Sequence, residues 1–238
     1  MSLLNTLIDP WLLRTRSLTW GRLLVIITYF LVKVLEMSTV NLRKELKEFY
    51  TAKKKPGLVE VPDGVFLTIL GKGHPSGEEY PTAMMALYSC AYTLKFKYKA
   101  EGIDYSVMPL EGLWWIEDGV FDANKPAPGE KWRWRSMIQV PDFVTEESLA
   151  ETQRELVEKK GEKVLEVKLE SFSEGLAAQV MHIGPYSEET PTINLLHTWV
   201  EENGYKLRDD HHEIYLNNPQ RTKPENLKTI IRHPVERV

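Results

Sequence analysis

The sequence predicts an α+β fold: duplicated strand-helix-strand-strand units forming one antiparallel sheet, with helices on one face and a central cleft. Three observations carry this expectation. Runs of β-branched and aromatic residues alternate with helix-periodic stretches in the same order twice. Each unit passes from a strand-like run through a glycine-bearing turn, 71–77 and 184–187, into a helix-like stretch. Each then sets a glutamate inside an aromatic-rich, strand-like run: Glu111 in 109–115 (PLEGLWW) and Glu213 in 211–216 (HHEIYL). Charged residues are seldom placed in strands without a task, so the two glutamates read as equivalent points facing one shared cleft.

Element by element, 42–50 (LRKELKEFY) reads as a short amphipathic helix, and the Lys and Pro run behind it as a connector. The first unit follows, with 65–70 (VFLTIL) as strand and 71–77 (GKGHPSG) as turn. Its helix is expected over 83–99, with Met84, Leu87, Tyr88, Ala91, Tyr92 and Leu94 at helical spacing. Two strands, 105–117 and 132–140, are joined by a loop rich in Gly, Pro and Asp. The stretch 144–160 is the strongest helix signal, with Thr145 as N-cap and Gly161 beyond its end. Beyond it 164–169 alternates as a strand does. The second unit then runs 176–183 as strand, 184–187 as turn, 191–202 as helix stopped by Gly204, and 211–217 and 227–232 as strands. Gly73 to Glu111 is 38 positions and Gly184 to Glu213 is 29, so the first unit carries an insertion in its helix or loop. The resulting boundaries are 1–36 as an N-terminal extension, 37–62 as helix and connector, and 63–238 as the duplicated domain. Within that domain, repeat one is 63–141, the linking helix 144–161 and repeat two 164–235.

Composition narrows the function. With 238 residues, 42% hydrophobic and 27% charged, the chain can bury a sizeable core and is not low-complexity. A net charge of −4, with one short basic run at 53–55, offers no footprint for nucleic acid. A single cysteine, Cys90, excludes an internal disulfide framework and a thiolate zinc site and fits a reducing, cytoplasmic setting. Near the N-terminus, 23–32 (LLVIITYFLV) is apolar and flanked by Arg14, Arg16, Arg22 and Lys33. It falls well short of the ~20 residues of a spanning helix, and no small-x-small cleavage pattern follows it. Three readings stand: translation from Met37, a packing or membrane-surface helix, or an uncleaved anchor. A membrane partner is expected only if this extension is real, and function is read from Met37 onward.

Alternation puts His211, Glu213 and Tyr215 on one face of their strand, and His212, Ile214 and Leu216 on the other. Around Glu111 the faces are less clean, so the ring turned to the pocket is either Trp114 or Trp115. Trp132 and Trp134 share a face, with Arg133 opposite. Rings and carboxylates together suit planar aromatic ligands or organic cations, through stacking and cation–π attraction. The candidate catalytic groups are Glu111, Glu213 and Tyr186, the last in a turn fixed by Gly184 and Pro185. The candidate ligand contacts are Trp114, Trp115, Trp132, Trp134, His211 and Tyr215. Competing structural readings are an ion pair on an open sheet face for each glutamate, core packing for the tryptophans, and a turn cap for Tyr186. The six histidines show no helical zinc spacing, and phosphate-loop, Rossmann and nucleophile-elbow motifs are missing, so neither metal nor cofactor is expected.

Five stretches carry a resemblance: KELKEFY (44–50), HIGPYSEE (182–189), ENGYKL (202–207), HHEIYLNNPQRT (211–222) and ENLKTIIRHPV (225–235). Together they make the span 42–235 similar to stand-alone GyrI-like small-molecule-binding proteins. The resemblance implies the same duplicated fold and a chain beginning near Met37. Related domains of BmrR-type transcription activators meet cationic drugs with a buried glutamate, and Glu213 stands at the matching position. Those regulators carry a helix-turn-helix module, for which the roughly 25 residues of 38–62 leave no room. Some stand-alone members are similar to hydrolases that open the cyclopropane of duocarmycin-like DNA alkylators, which implies catalytic roles for Glu111 and Glu213. The function implied is binding of small aromatic or cationic xenobiotics, with hydrolysis by two cleft glutamates. A non-catalytic sequestering or protein-interaction module is the alternative.

Overall fold

The computed structural model describes residues 38–238 apart from 120, 126 and 127. The N-terminal extension 1–36 therefore lies outside the described residues.

Among the described residues a nine-stranded sheet forms the centre. Its inner strands are β3 (Gly64–Lys72), β5 (Leu110–Ile116) and β6 (Trp132–Val140) from the first repeat, and β8 (Gly175–Ile183), β10 (His211–Tyr215) and β11 (Lys228–Arg237) from the second. They lie in the order β8-β11-β10-β5-β6-β3, all antiparallel, so β5 and β10 meet at the pseudo-twofold axis. Two further strands cross between halves. β2 (Gly57–Val61) precedes the first repeat but edges β8 of the second, and β7 (Lys168–Phe172) precedes the second but edges β3 of the first. Short strands β4 (Ile103–Tyr105) and β9 (Tyr205–Leu207) follow the two repeat helices; β4 pairs with β1 (Ser38–Val40), and β9 with the end of β11.

Both repeat helices lie on one sheet face. α2 (Glu79–Ala100) buries Ala83, Leu87, Cys90 and Leu94 against Leu67, Ile69 and Ile138, with α3 (Glu146–Lys160) beside it. Cys90 is thus a core residue. α4 (Thr190–Glu202) buries Ile193, Leu196 and Val200 against Ala178, Val180 and Ile231. These positions recur at helical spacing, and burying each of the Leu, Ile and Val side chains contributes roughly 1.5–3 kcal/mol. The expected ends of α3 hold: the Thr145 and Ser148 side chains cap each other's backbone N–H, and Gly161 takes a φ of 81°.

Some elements differ from expectation. The helix starting at Leu42 ends at Glu45 (α1, Leu42–Glu45), and the chain continues through turns to residue 50. Part of the expected connector is β2, because the backbone of 57–61 satisfies its polar groups on the free edge of β8. The strand expected over 105–117 is two, separated by 106–109, where Pro109 cannot donate to a ladder. The stretch 164–169 is mostly a 3₁₀ turn, Glu162–Glu166, and β7 begins at Lys168. Among the described residues no helix is long and apolar enough to cross a membrane.

Candidate small-molecule site

Between the repeat helices, over the axis where β5 meets β10, lies a cavity of about 850 Å³. β5 contributes Leu110 and Trp114, and β10 contributes Glu213 and Tyr215. α2 adds Tyr80, Met84, Tyr88 and Tyr92; the turn behind β8 adds Tyr186, Ser187 and Glu189. Trp132 and the segment Leu216 to Gln220 complete much of the rim. The rings interlock edge to face, Trp114 with Trp132 at 6.0 Å and Tyr186 with Tyr215 at 5.6 Å between centroids.

Register decides what Glu213 meets. It pairs with Gly112, whose missing side chain leaves space: a Cβ there would stand 2.7 Å from Trp114 Nε1 and 3.3 Å from the Tyr215 oxygen. In that space Trp114 Nε1 donates to the Tyr215 hydroxyl at 3.0 Å, and Tyr215 donates to Glu213 Oε2 at 2.7 Å. His211 Nε2 lies 3.0 Å from Glu213 Oε1; a carboxylate only accepts, so the proton sits on Nε2. Phe121 stacks on the His211 ring at 4.3 Å and 8°. Glu213 is therefore held by a chain of donors.

The second carboxyl of the cavity is Glu189, only 5% exposed, with one oxygen lacking any partner among the described residues. Burial raises its pKa first and the Glu213 charge raises it further, to about 9, while Thr229 offsets little of this. Burial and the Glu213 charge thus favour its protonated form. Burial, followed by the Glu189 and Glu213 charges, likewise lifts Tyr186 to about 12.

The structure does not bring Glu111 and Glu213 together. Glu111 pairs across from Ile214, one residue out of phase with Glu213, and so points through the opposite face of the sheet. There it accepts from the Tyr50 hydroxyl at 2.5 Å and lies 3.1 Å from His212 Nε2. His212 Nδ1 meets Glu174 at 2.8 Å, and Arg232 meets the other Glu174 oxygen at 3.0 Å. Burial alone would lower His212, but the two carboxylates outweigh it and lift it to about 9; His212 and Arg232 in turn overcome the burial of Glu174 and hold it near 2. This balanced buried network fastens the N-terminal segment, since Arg232 also bonds the Phe49 carbonyl.

Of the other expected residues, Trp114, Trp132, Tyr186 and Tyr215 line the cavity, and His211 supports it through Glu213. Trp115 lies on the opposite face with Glu111. Trp134 is wholly buried beneath Gly71 and edge-on to Tyr80, so it is core. Glu189 and the α2 tyrosines went unanticipated. Glu189 lies three residues after Tyr186 in the same turn, and Tyr80, Tyr88 and Tyr92 are separated by eight and four residues, consistent with one helix stripe. Three histidines from separate elements also meet in space, His197, His211 and His233.

A duplicated sheet carrying an aromatic, carboxylate-bearing cavity at its axis defines a small-molecule-binding class of fold. The profile of the GyrI-like small molecule binding domain matches residues 142–236, which cover the second repeat. An uncharacterized conserved protein from Listeria innocua has a similar structure, with 42% identity, a TM-score of 0.76, and coverage of 83% of this chain and all of that one. A hydrolase from Listeria innocua is 39% identical, with a TM-score of 0.72 and coverage of 83% and 100%. The C-terminal domain of EcmrR, 17% identical with a TM-score of 0.50 over 77% of this chain and 98% of that one, shares the fold. No curated protein matches the sequence. The chain belongs to the GyrI-like small-molecule-binding family.

Proposed function

We propose that the chain binds flat aromatic xenobiotics in this cavity and hydrolyses those bearing a strained cyclopropane. The observation that carries the reading is the carboxyl pair lining one cavity: Glu189 is buried, which with the Glu213 charge raises its pKa, whereas Glu213 lies within a set of hydrogen-bond donors. Two carboxyls in different environments divide acid from base. Water attacks the cyclopropane CH₂ and gives its proton to Glu213. The ring C–C bond breaks, and its electron pair passes through the conjugated dienone to the carbonyl oxygen, which takes the proton of Glu189. The product is the substrate plus one water, and proton exchange with solvent resets the pair. Tyr186 orients the same oxygen. Positioned acid–base groups of this kind contribute roughly 10²–10⁴-fold, ample for a strained electrophile. The 39% identical hydrolase is compatible with this reading. Glu111 takes no part, since it opens on the other face. We place the protein in the cytoplasm, where Cys90 stays reduced.

The test is incubation of the full chain with a cyclopropane-bearing duocarmycin-type compound, followed by mass spectrometry. Repeated turnover to a product heavier by one water, lost in Glu213→Gln with binding retained, supports the reading. Unchanged compound recovered from a tight complex would make the protein a sequestering binder. That second reading is favoured by one feature: the Glu213 carboxylate among many rings also suits an organic cation.

A further inference from the structure

His211 uses Nε2 on Glu213, and its remaining nitrogen, Nδ1, is buried without a hydrogen-bond partner among the described residues. The same is true of His197 Nε2 and His233 Nδ1. One ring nitrogen from each of the three lies within 4.8 Å of the other two. An orphaned buried polar atom costs roughly 1–3 kcal/mol, so three imidazoles that each carry one and meet in one place call for an occupant. The rings are already positioned. Phe121 and Glu213 fix His211, and the His197 and His233 rings meet edge to face at 5.3 Å between centroids. His197, on α4, is half-buried.

We propose that His197, His211 and His233 form a three-imidazole site for a divalent transition metal, zinc foremost, with Glu213 as the carboxylate behind His211. Neutral imidazole nitrogen suits zinc, copper and nickel, and three such ligands leave one position open. Tetrahedral zinc, with Zn–N distances of about 2.0–2.1 Å, sets its nitrogens about 3.4 Å apart, so the rings close slightly on binding. A carboxylate accepting from the far nitrogen of a ligating histidine is the usual outer partner of such a site; it fixes the tautomer and makes the ring a better donor. This assignment does not depend on the hydrolytic reading. It ties the carboxylate in the cavity to an ion on its far side.

The experiment is isothermal titration of Zn²⁺ into the untagged full chain after chelator treatment, with Co²⁺ absorption as a second reporter. One ion per chain is expected, together with the visible bands of four-coordinate Co²⁺. Glu213→Gln should weaken binding by roughly 10–100-fold, the usual cost of losing an outer partner. His197→Ala and His233→Ala should weaken it further, with circular dichroism unchanged. Failure of the wild type to take up either ion, as when the site holds only water, overturns the proposal. So does uptake that survives loss of His197, whose half-exposed position makes that variant the safer to fold.

Discussion

Glu189 shows how one residue can be set against stability for chemistry. Between its ordinary value of 4.5 and about 9, the folded chain holds a proton that the unfolded chain has released. The folded state binds more protons in that window, so this group makes stability fall as pH rises through it. At pH 7 the cost is on the order of 3 kcal/mol. Glu189→Gln should therefore melt higher than the parent, and its advantage should be at least ~5 °C larger at pH 8 than at pH 5. Thermal melts at both pH values measure this; an advantage independent of pH would show that the raised pKa is not real. The same variant is expected to lose turnover of the cyclopropane substrate. Tyr50 behaves oppositely. Tyr50→Phe strands Glu111 beside His212 and should destabilise the fold by about 1–3 kcal/mol, measured by denaturant unfolding, without touching the cavity.

At the scale of elements, two glycines on the strands flanking β6, Gly71 on β3 and Gly112 on β5, let rings lie flat on the sheet. A Cβ on Gly71 would stand 2.1 Å from the Trp134 ring, which is fully buried and cannot retreat. Gly71→Ala should cost ~2 kcal/mol or more through overpacking, read as a lower denaturant midpoint. A Cβ on Gly112 instead meets Trp114 Nε1 and the Tyr215 oxygen, the two groups that lead to Glu213. Gly112→Ala should reduce ligand affinity and turnover more than stability; intact kinetics with a large drop in melting temperature would contradict that. Strand register matters as much as residue identity here. Because Glu213 pairs with Gly112 and not Glu111, the partner carboxyl of the cavity comes from the turn before α4.

At the scale of the molecule, the exchanged edge strands join the repeats. β2 closes the edge of β8, β7 closes that of β3, and β5 on β10 joins the halves at the axis. The full chain should unfold in a single transition, whereas residues 164–235 alone would expose the open edges of β8 and β10 and aggregate. Circular dichroism melts of both distinguish this from two self-sufficient domains, which would each melt alone.

The sequence by itself determined the duplicated order of elements, the ends of α3, and the face shared by His211, Glu213 and Tyr215. These depend on local periodicity, capping and alternation, which are properties of neighbouring residues. Its choice of Glu111 as the partner of Glu213 failed because both are strand glutamates among aromatics, and only the pairing of β5 with β10 says which face each takes. Tertiary structure alone decided three further things. It set Glu189 beside Glu213, put Trp134 in the core rather than the cavity, and gathered His197, His211 and His233 from a helix and two strands. No spacing along the chain encodes these meetings, because each depends on how separate elements are laid across one sheet.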